Sequence, residues 1–359
     1  MQFKKKFNKL NKLYIFFFYL ILFLNIVLIT SSSGNSFKIK DLKISEPFNV
    51  NFNKEKVINK GFEEAFKELT SMITTSSDQE KIKNLSINQI KSLIDSFNIS
   101  KERFINDLYI VNFDVNFNKK NTLKLFEKKN IFPSIPKKRE ILLIPVLVDL
   151  QSNQISLFNN NVFYDLWNLK KERFFLLNYI LPTEDLEDVN LLLENKNSIE
   201  EYDFSKMIEK YNLKDFIIVI IFNNLNEIKI LSKIQLNDYL KIETQTFKNE
   251  NIANDENIVD ILKTLKEIYE NHWKDINKIN TSIKLPLTIS LTANNYKKIL
   301  HFEKVLDDLD LLFSYEVLSF NNKKIYYKLI YNGSPNRFLS DLESRNITVD
   351  TQDQEWKIK

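Results

Sequence analysis

The chain has 359 residues, with 51 basic against 47 acidic side chains, no cysteine and three glycines. Without cysteine there can be no disulfide and no lipid-modified cysteine, so stability has to come from core burial, which a chain of this length can supply in two or three domains. Five of the basic residues (Lys4, Lys5, Lys6, Lys9 and Lys12) crowd the N-terminus, and the rest of the chain is then one charge short of neutral; this gives no electrostatic case for nucleic-acid binding. Those lysines precede an uncharged apolar run, Leu13 to Ile29, and a small-residue stretch in which Ser31 and Ser33 suit a cleavage point before Gly34. Residues 1–33 therefore read as an export signal or, if uncut, a signal anchor, with the bulk of the chain outside the cytoplasm.

Beyond the signal the spacing predicts three small mixed α/β units, an α+β or α/β class of fold. The first spans 36–132. Phe37 to Ile44 alternates as a strand. Ile58, Phe62, Ala65, Phe66, Leu69, Met72 and Ile73 fall on one helical stripe. A second helix is expected over Ser86 to Phe97, then a half-buried strand within Phe104 to Phe117, paired with the segment before it, and a closing helix over Asn121 to Lys129. Pro133 and Pro136 with the basic residues after them form a short stiff linker.

The middle unit, 139–279, opens with Ile141 to Val148, apolar enough to be a strand covered on both faces, although Pro145 points to an edge or a bulge. A helix at Val162 to Leu169, a strand at Phe174 to Leu181 and helices at Leu186 to Leu193 and Phe204 to Tyr211 follow. Strands at Phe216 to Phe222, Ile228 to Ile234 and Tyr239 to Phe247 come next, then a helix from Ile258 to Trp273. The last unit, 282–359, reads β-α-β-β-α-β, a ferredoxin-like split βαβ, with a turn at Asn321-Asn322 and Ser334-Pro335 opening its second helix. Its two edge strands are places where a protein partner could add a strand.

Chemistry is sparse. Nucleophile-elbow and phosphate-loop glycine patterns are absent, no cofactor site is indicated, and the histidines are only His272, on the buried stripe of its helix, and His301. Trp167, Trp273 and Trp356, one to a segment, read as core. One constellation remains: Glu184, Asp185, Glu187 and Asp188, at a strand-to-helix junction. Four acids there favour the helix dipole. The same oxygens could instead hold Ca²⁺ or Mg²⁺, act as a paired general acid and base, or dock a partner.

Ala65-Phe66, Tyr109-x-Val111-x-Phe113-Asp114-Val115-x-Phe117, Ile144-Pro145-Val146-Leu147, Leu181-Pro182-Thr183-Glu184-Asp185-Leu186-Glu187-Asp188 and Trp273 together resemble the bacterial exported family of unknown function 2066 (DUF2066), in a divergent alphaproteobacterial form. A glycine expected in that family between Pro182 and Asp185 is absent. The resemblance implies a cell-envelope, periplasmic location and little chemistry. The expectation is a non-catalytic exported protein, soluble or held at the inner membrane by residues 13–29, that binds unknown envelope proteins as an assembly accessory; the alternative is an envelope hydrolase or metal-dependent enzyme using the acids from Glu184 to Asp188.

Overall fold

The computed structural model describes residues 37–225, 227–250, 252–281, 283–352 and 355–359, so the signal or anchor expected over 1–33 lies outside the described residues. The first module is β1 (Lys38–Pro47), α1 (Lys54–Ile73), the short helices α2 (Ser76–Glu80) and α3 (Ile87–Lys91), β2 (Ile94–Ile105), β3 (Leu108–Phe117) and α4 (Lys119–Lys128). Its antiparallel sheet has the order β1-β3-β2. Tyr109, Val111, Phe113, Val115 and Phe117 all face inward, and Phe62, Ala65, Phe66 and Leu69 of α1 close over them. Gly61 permits the closest approach: a Cβ there would lie 2.9 Å from ring atoms of Phe113.

The helix expected over Ser86 to Phe97 is much shorter. Ser86 does open it with a capping box, but it ends at Lys91, and Ile94 already belongs to β2. Phe104 and Ile105, expected in the following strand, also belong to β2. The apolar spacing suits a helix, yet Ile94, Phe97 and Ile99 pair with Phe117, Val115 and Phe113, and this ladder outweighs local preference. The hairpin turns at Asn106 and Asp107, both at positive φ (49° and 56°), where short polar side chains are tolerated.

The second module contains β4 (Arg139–Asp149), β5 (Gln154–Ser156), α5 (Val162–Leu166), β6 (Leu177–Ile180), α6 (Leu186–Glu194), α7 (Ser205–Glu209), β7 (Phe216–Asn224), β8 (Glu227–Leu236), β9 (Tyr239–Lys248) and α8 (Asp255–Ile276). The order is β5-β4-β7-β8-β9, with β6 beside β4. Parallel β4 and β7 are covered on both faces. Ile141, Leu143, Ile217 and Val219 meet α5 and α8 through Trp167, Tyr269 and Trp273, while Leu142, Ile144, Val146 and Ile220 meet Leu192, Phe204 and Met207.

Pro145 sits neither on an edge strand nor at a bulge. It pairs in register with Val219 on one side. On the other, β6 covers residues 139–142 and β5 covers 147–149, so Pro145 falls in the gap between them. Its carbonyl, on the same side as the missing N–H, accepts from Asn161 Nδ2 at 2.9 Å. A proline is tolerated because no strand asks for its donor.

The third module is β10 (Leu285–Thr292), α9 (Tyr296–Asp308), β11 (Leu312–Phe320), β12 (Lys324–Tyr331), α10 (Pro335–Glu343), β13 (Val349–Asp350) and β14 (Trp356–Ile358), in the order β11-β12-β10-β14-β13. This is a mixed α+β unit with the split βαβ element order and one variation. After α10 the chain runs along the outer edge as β13, then returns as β14 to pair parallel with β10.

The modules share their boundaries. Ser134 N donates to Ile73 O (2.7 Å), Ile135 N to Asn277 O (3.0 Å) and Ile279 N to Pro133 O (2.8 Å), so the linker is stitched to both neighbours. Phe313 of β11 is buried in the core of the first module, with Ile330 packed against it. Among the described residues no helix is long and apolar enough to cross a membrane.

Candidate functional site

The acids at the start of α6 do not act as a group of four. Asp185 is the N-cap in extended conformation, and its Oδ1 accepts from Glu187 N at 2.8 Å. Asp188, one turn on, is buried to 1% exposure. Lys210, just past α7, lies 2.7 Å from both Asp185 Oδ2 and Asp188 Oδ1. Its ammonium holds the Asp185 carboxyl below the usual range, and the two carboxylates raise the Lys210 pKa in return. Glu184 and Glu187 are exposed and take no part in this bridge. The loop leading in is held by Tyr164, whose hydroxyl donates to Pro182 O (2.8 Å), and by Tyr211, whose hydroxyl accepts from Thr183 N (2.7 Å).

This arrangement staples α6 to α7 with a buried carboxylate neutralised by a lysine. Among the described residues no three or more histidine, cysteine, aspartate or glutamate side chains gather in a way that could hold a metal ion. Glu184 and Asp185 also border a cleft of about 550 Å³ between the β5 segment and α6, floored by Leu186, Val189 and Leu193. His272 is half-buried, with Nδ1 3.3 Å from Lys241 Nζ and Nε2 3.2 Å from Glu243 Oε1; burial first and Lys241 second lower its pKa. His301 is exposed. Trp167 and Trp273 are fully buried, and Trp356 packs against the third core.

Inside α8 runs a charged row that apolar periodicity alone does not mark as buried. Ile258 and Leu262 are buried, and the same four-residue step continues to Lys266, Glu270 and Lys274, all buried. Lys266 Nζ donates to Trp167 O at the end of α5 (2.5 Å). Glu270 Oε1 accepts from the backbone N–H groups of Leu176 (2.8 Å) and Leu177 (2.7 Å) at the start of β6. Lys274 Nζ donates to Ser71 O in the last turn of α1 (2.5 Å). Burial lowers both lysines and raises Glu270. The signal was present in the spacing, because a step of four from a buried leucine keeps a side chain inside.

Near this row a groove of about 520 Å³ is lined by Lys138, Arg139, Lys170, Lys171 and Arg173 among others. Both arginines are engaged: Arg139 with Asp215, and Arg173 with the carbonyls of Lys40 and Asp41.

No protein-family model matches the chain, and no curated protein matches it significantly.

Proposed function

We propose that the chain is a non-catalytic exported protein of the cell envelope that binds other proteins. Export is supported by the lysine cluster and the uncharged run after it. Protein binding is supported by exposed apolar residues gathered at the end of the first sheet, on both of its faces. Phe48, Val50, Phe104, Ile105 and Leu108 are all exposed there, Phe104 to 60%. On one face the rings pack on one another: Phe48 lies 4.8 Å from Phe104 and 4.9 Å from Phe52, and Phe104 lies 5.1 Å from Tyr109. Phe48 N also donates to Asp107 O (2.7 Å), tying the loop after β1 to the β2–β3 hairpin. Exposed apolar side chains clustered in this way suit a protein partner more than water.

The test uses the full chain with an affinity tag after Lys359. Proteins captured by the parent should be lost from Val50→Ser/Phe104→Ser while circular dichroism stays the same; an unchanged set of captured proteins overturns the binding reading. A periplasmic reporter fused after Lys359 should be active, and activity confined to a cytoplasmic reporter overturns export.

A further inference from the structure

We infer that the β9 edge pairs with the β9 edge of a second copy of this chain, antiparallel, about a two-fold axis at Ile242. This surface is separate from the Phe48–Phe104 patch and does not depend on it.

The long edge strands of the molecule differ in one respect. β1 has a register break between Ile39 and Leu42, β2 breaks between Ile94 and Ser96 and between Ser100 and Arg103, and β11 breaks between Leu312 and Ser314 and between Val317 and Ser319. Such irregularities twist an edge away from foreign strands. The other edge strands, β5, β6 and β13, are at most four residues long. β9 has neither protection. All ten of its residues pair without interruption with β8, and it contains no proline. Its outer side is an uninterrupted row of backbone donors and acceptors, with Tyr239, Leu240 and Ile242 exposed beside it and the charges of Lys241 and Glu243 left to decide which strand can join.

The side chains of β9 select the partner. On the face toward α8, Lys241 Nζ lies 2.8 Å from Glu243 Oε1, with His272 beside both. An antiparallel copy centred on Ile242 sets Lys241 opposite Glu243 of the second copy, and Glu243 opposite its Lys241. Ile242, 60% exposed, meets Ile242, and Leu240 meets Thr244. Centring one residue earlier sets Lys241 against Lys241, and one residue later sets Glu243 against Glu243. Directly opposed like charges disfavour both registers, whereas opposite charges favour the one at Ile242. A sequence that complements itself about one residue is what an isologous two-fold contact requires.

The chain contains no cysteine, so one introduced thiol in the full-length protein can cross-link only to its own copy or to a foreign thiol. Directly opposed residues have Cβ atoms about 4.5–5.5 Å apart, near disulfide range. Ile242→Cys should give a covalent dimer under mild oxidation, and Thr246→Cys, four residues off the axis, should not. Leu240→Cys mixed with Thr244→Cys should cross-link, though neither does so alone. Lys241→Glu or Glu243→Lys, each creating two like-charge contacts per dimer, should weaken association measured by light scattering by about tenfold. The double swap K241E/E243K should restore it. A monomeric Ile242→Cys, equal cross-linking by Thr246→Cys, a cross-link to a protein of different mass, or a double swap no better than its parts each overturns the inference.

Discussion

Lys274 Nζ lies 2.5 Å from the carbonyl oxygen of Ser71, across 203 residues of chain. Ser71 is in the last turn of α1, which carries no basic residue of its own there, so a lysine from α8 supplies both the donor and the positive charge that a helix C-terminus favours. Ser134 satisfies the Ile73 carbonyl two residues on, so α1 ends on groups taken from the rest of the fold.

Lys274→Met keeps the aliphatic stem and removes the donor. The buried Ser71 carbonyl then loses its partner, and urea denaturation should show a loss of roughly 1–3 kcal/mol. A variant as stable as the parent would show that the contact contributes nothing net.

Burial raises the Glu270 carboxyl above its ordinary value of 4.5. Folding therefore disfavours its charged form. Its contribution is complete below the unfolded value and is lost as pH rises through the raised one. Glu270→Gln keeps an acceptor for Leu176 and Leu177 and carries no charge, so relative to the parent it should gain stability as pH rises above the ordinary 4.5. Glu270→Ala strips both N–H groups of their acceptor and should be destabilised at every pH. Parallel pH profiles for parent and Glu270→Gln would refute this account.

Lys210→Met should leave the Asp188 carboxylate buried without its counter-charge, at a cost of roughly 1–3 kcal/mol. Asp188→Asn should recover much of that loss in the double variant. The Asp185 carboxyl, held low mainly by Lys210, contributes stability above its ordinary 3.8 that is lost as pH falls through the lowered value. Calcium titration followed by calorimetry should give the same trace for the parent and Asp185→Asn/Asp188→Asn; a binding isotherm present only in the parent would restore the metal reading.

Gly61→Ala should destabilise, although alanine is the better helix former by about 1 kcal/mol. The new methyl would lie 2.9 Å from the ring of Phe113, which is fully buried and would have to shift within a packed core. Overpacking of this kind costs typically 1–3 kcal/mol, and a thermal melt would settle the sign.

Asn161, fully buried, sends Nδ2 to the carbonyls of Pro145, Ser156 and Leu157 at 2.9–3.2 Å, while Oδ1 caps α5 by accepting from the N–H groups of Phe163 and Tyr164. Asn161→Asp keeps the cap but turns a carboxylate oxygen toward three carbonyls. It should be less stable than Asn161→Ala, and the reverse order in urea would mean that the cap outweighs the carbonyl contacts.

Repeating patterns carried most of the elements. The alternation from Tyr109 to Phe117, the continuous runs in β4 and β7, and the stripe of α8 each state how a segment is buried, because period and burial are local properties. The pattern could not say that Ile94 to Ile105 would pair with β3 instead of extending a helix, since that choice rests on a ladder with another segment. Of the four acids, their placement at a helix start was legible; the lysine joining two of them, 25 and 22 residues away, was not.

The residues by themselves determined a disulfide-free α+β chain and the approximate limits of most of its elements, which follow from composition and short-range period. Only the tertiary structure decided that Lys266, Glu270 and Lys274 cap three separate segments, that Pro145 sits in a gap between two short strands, and that β14 returns to lie between β10 and β13. Those outcomes depend on which backbone groups were left unpaired after the sheets formed. A buried donor or acceptor must be satisfied by whatever group lies within about 3 Å in space, and no window along the chain records which group that will be.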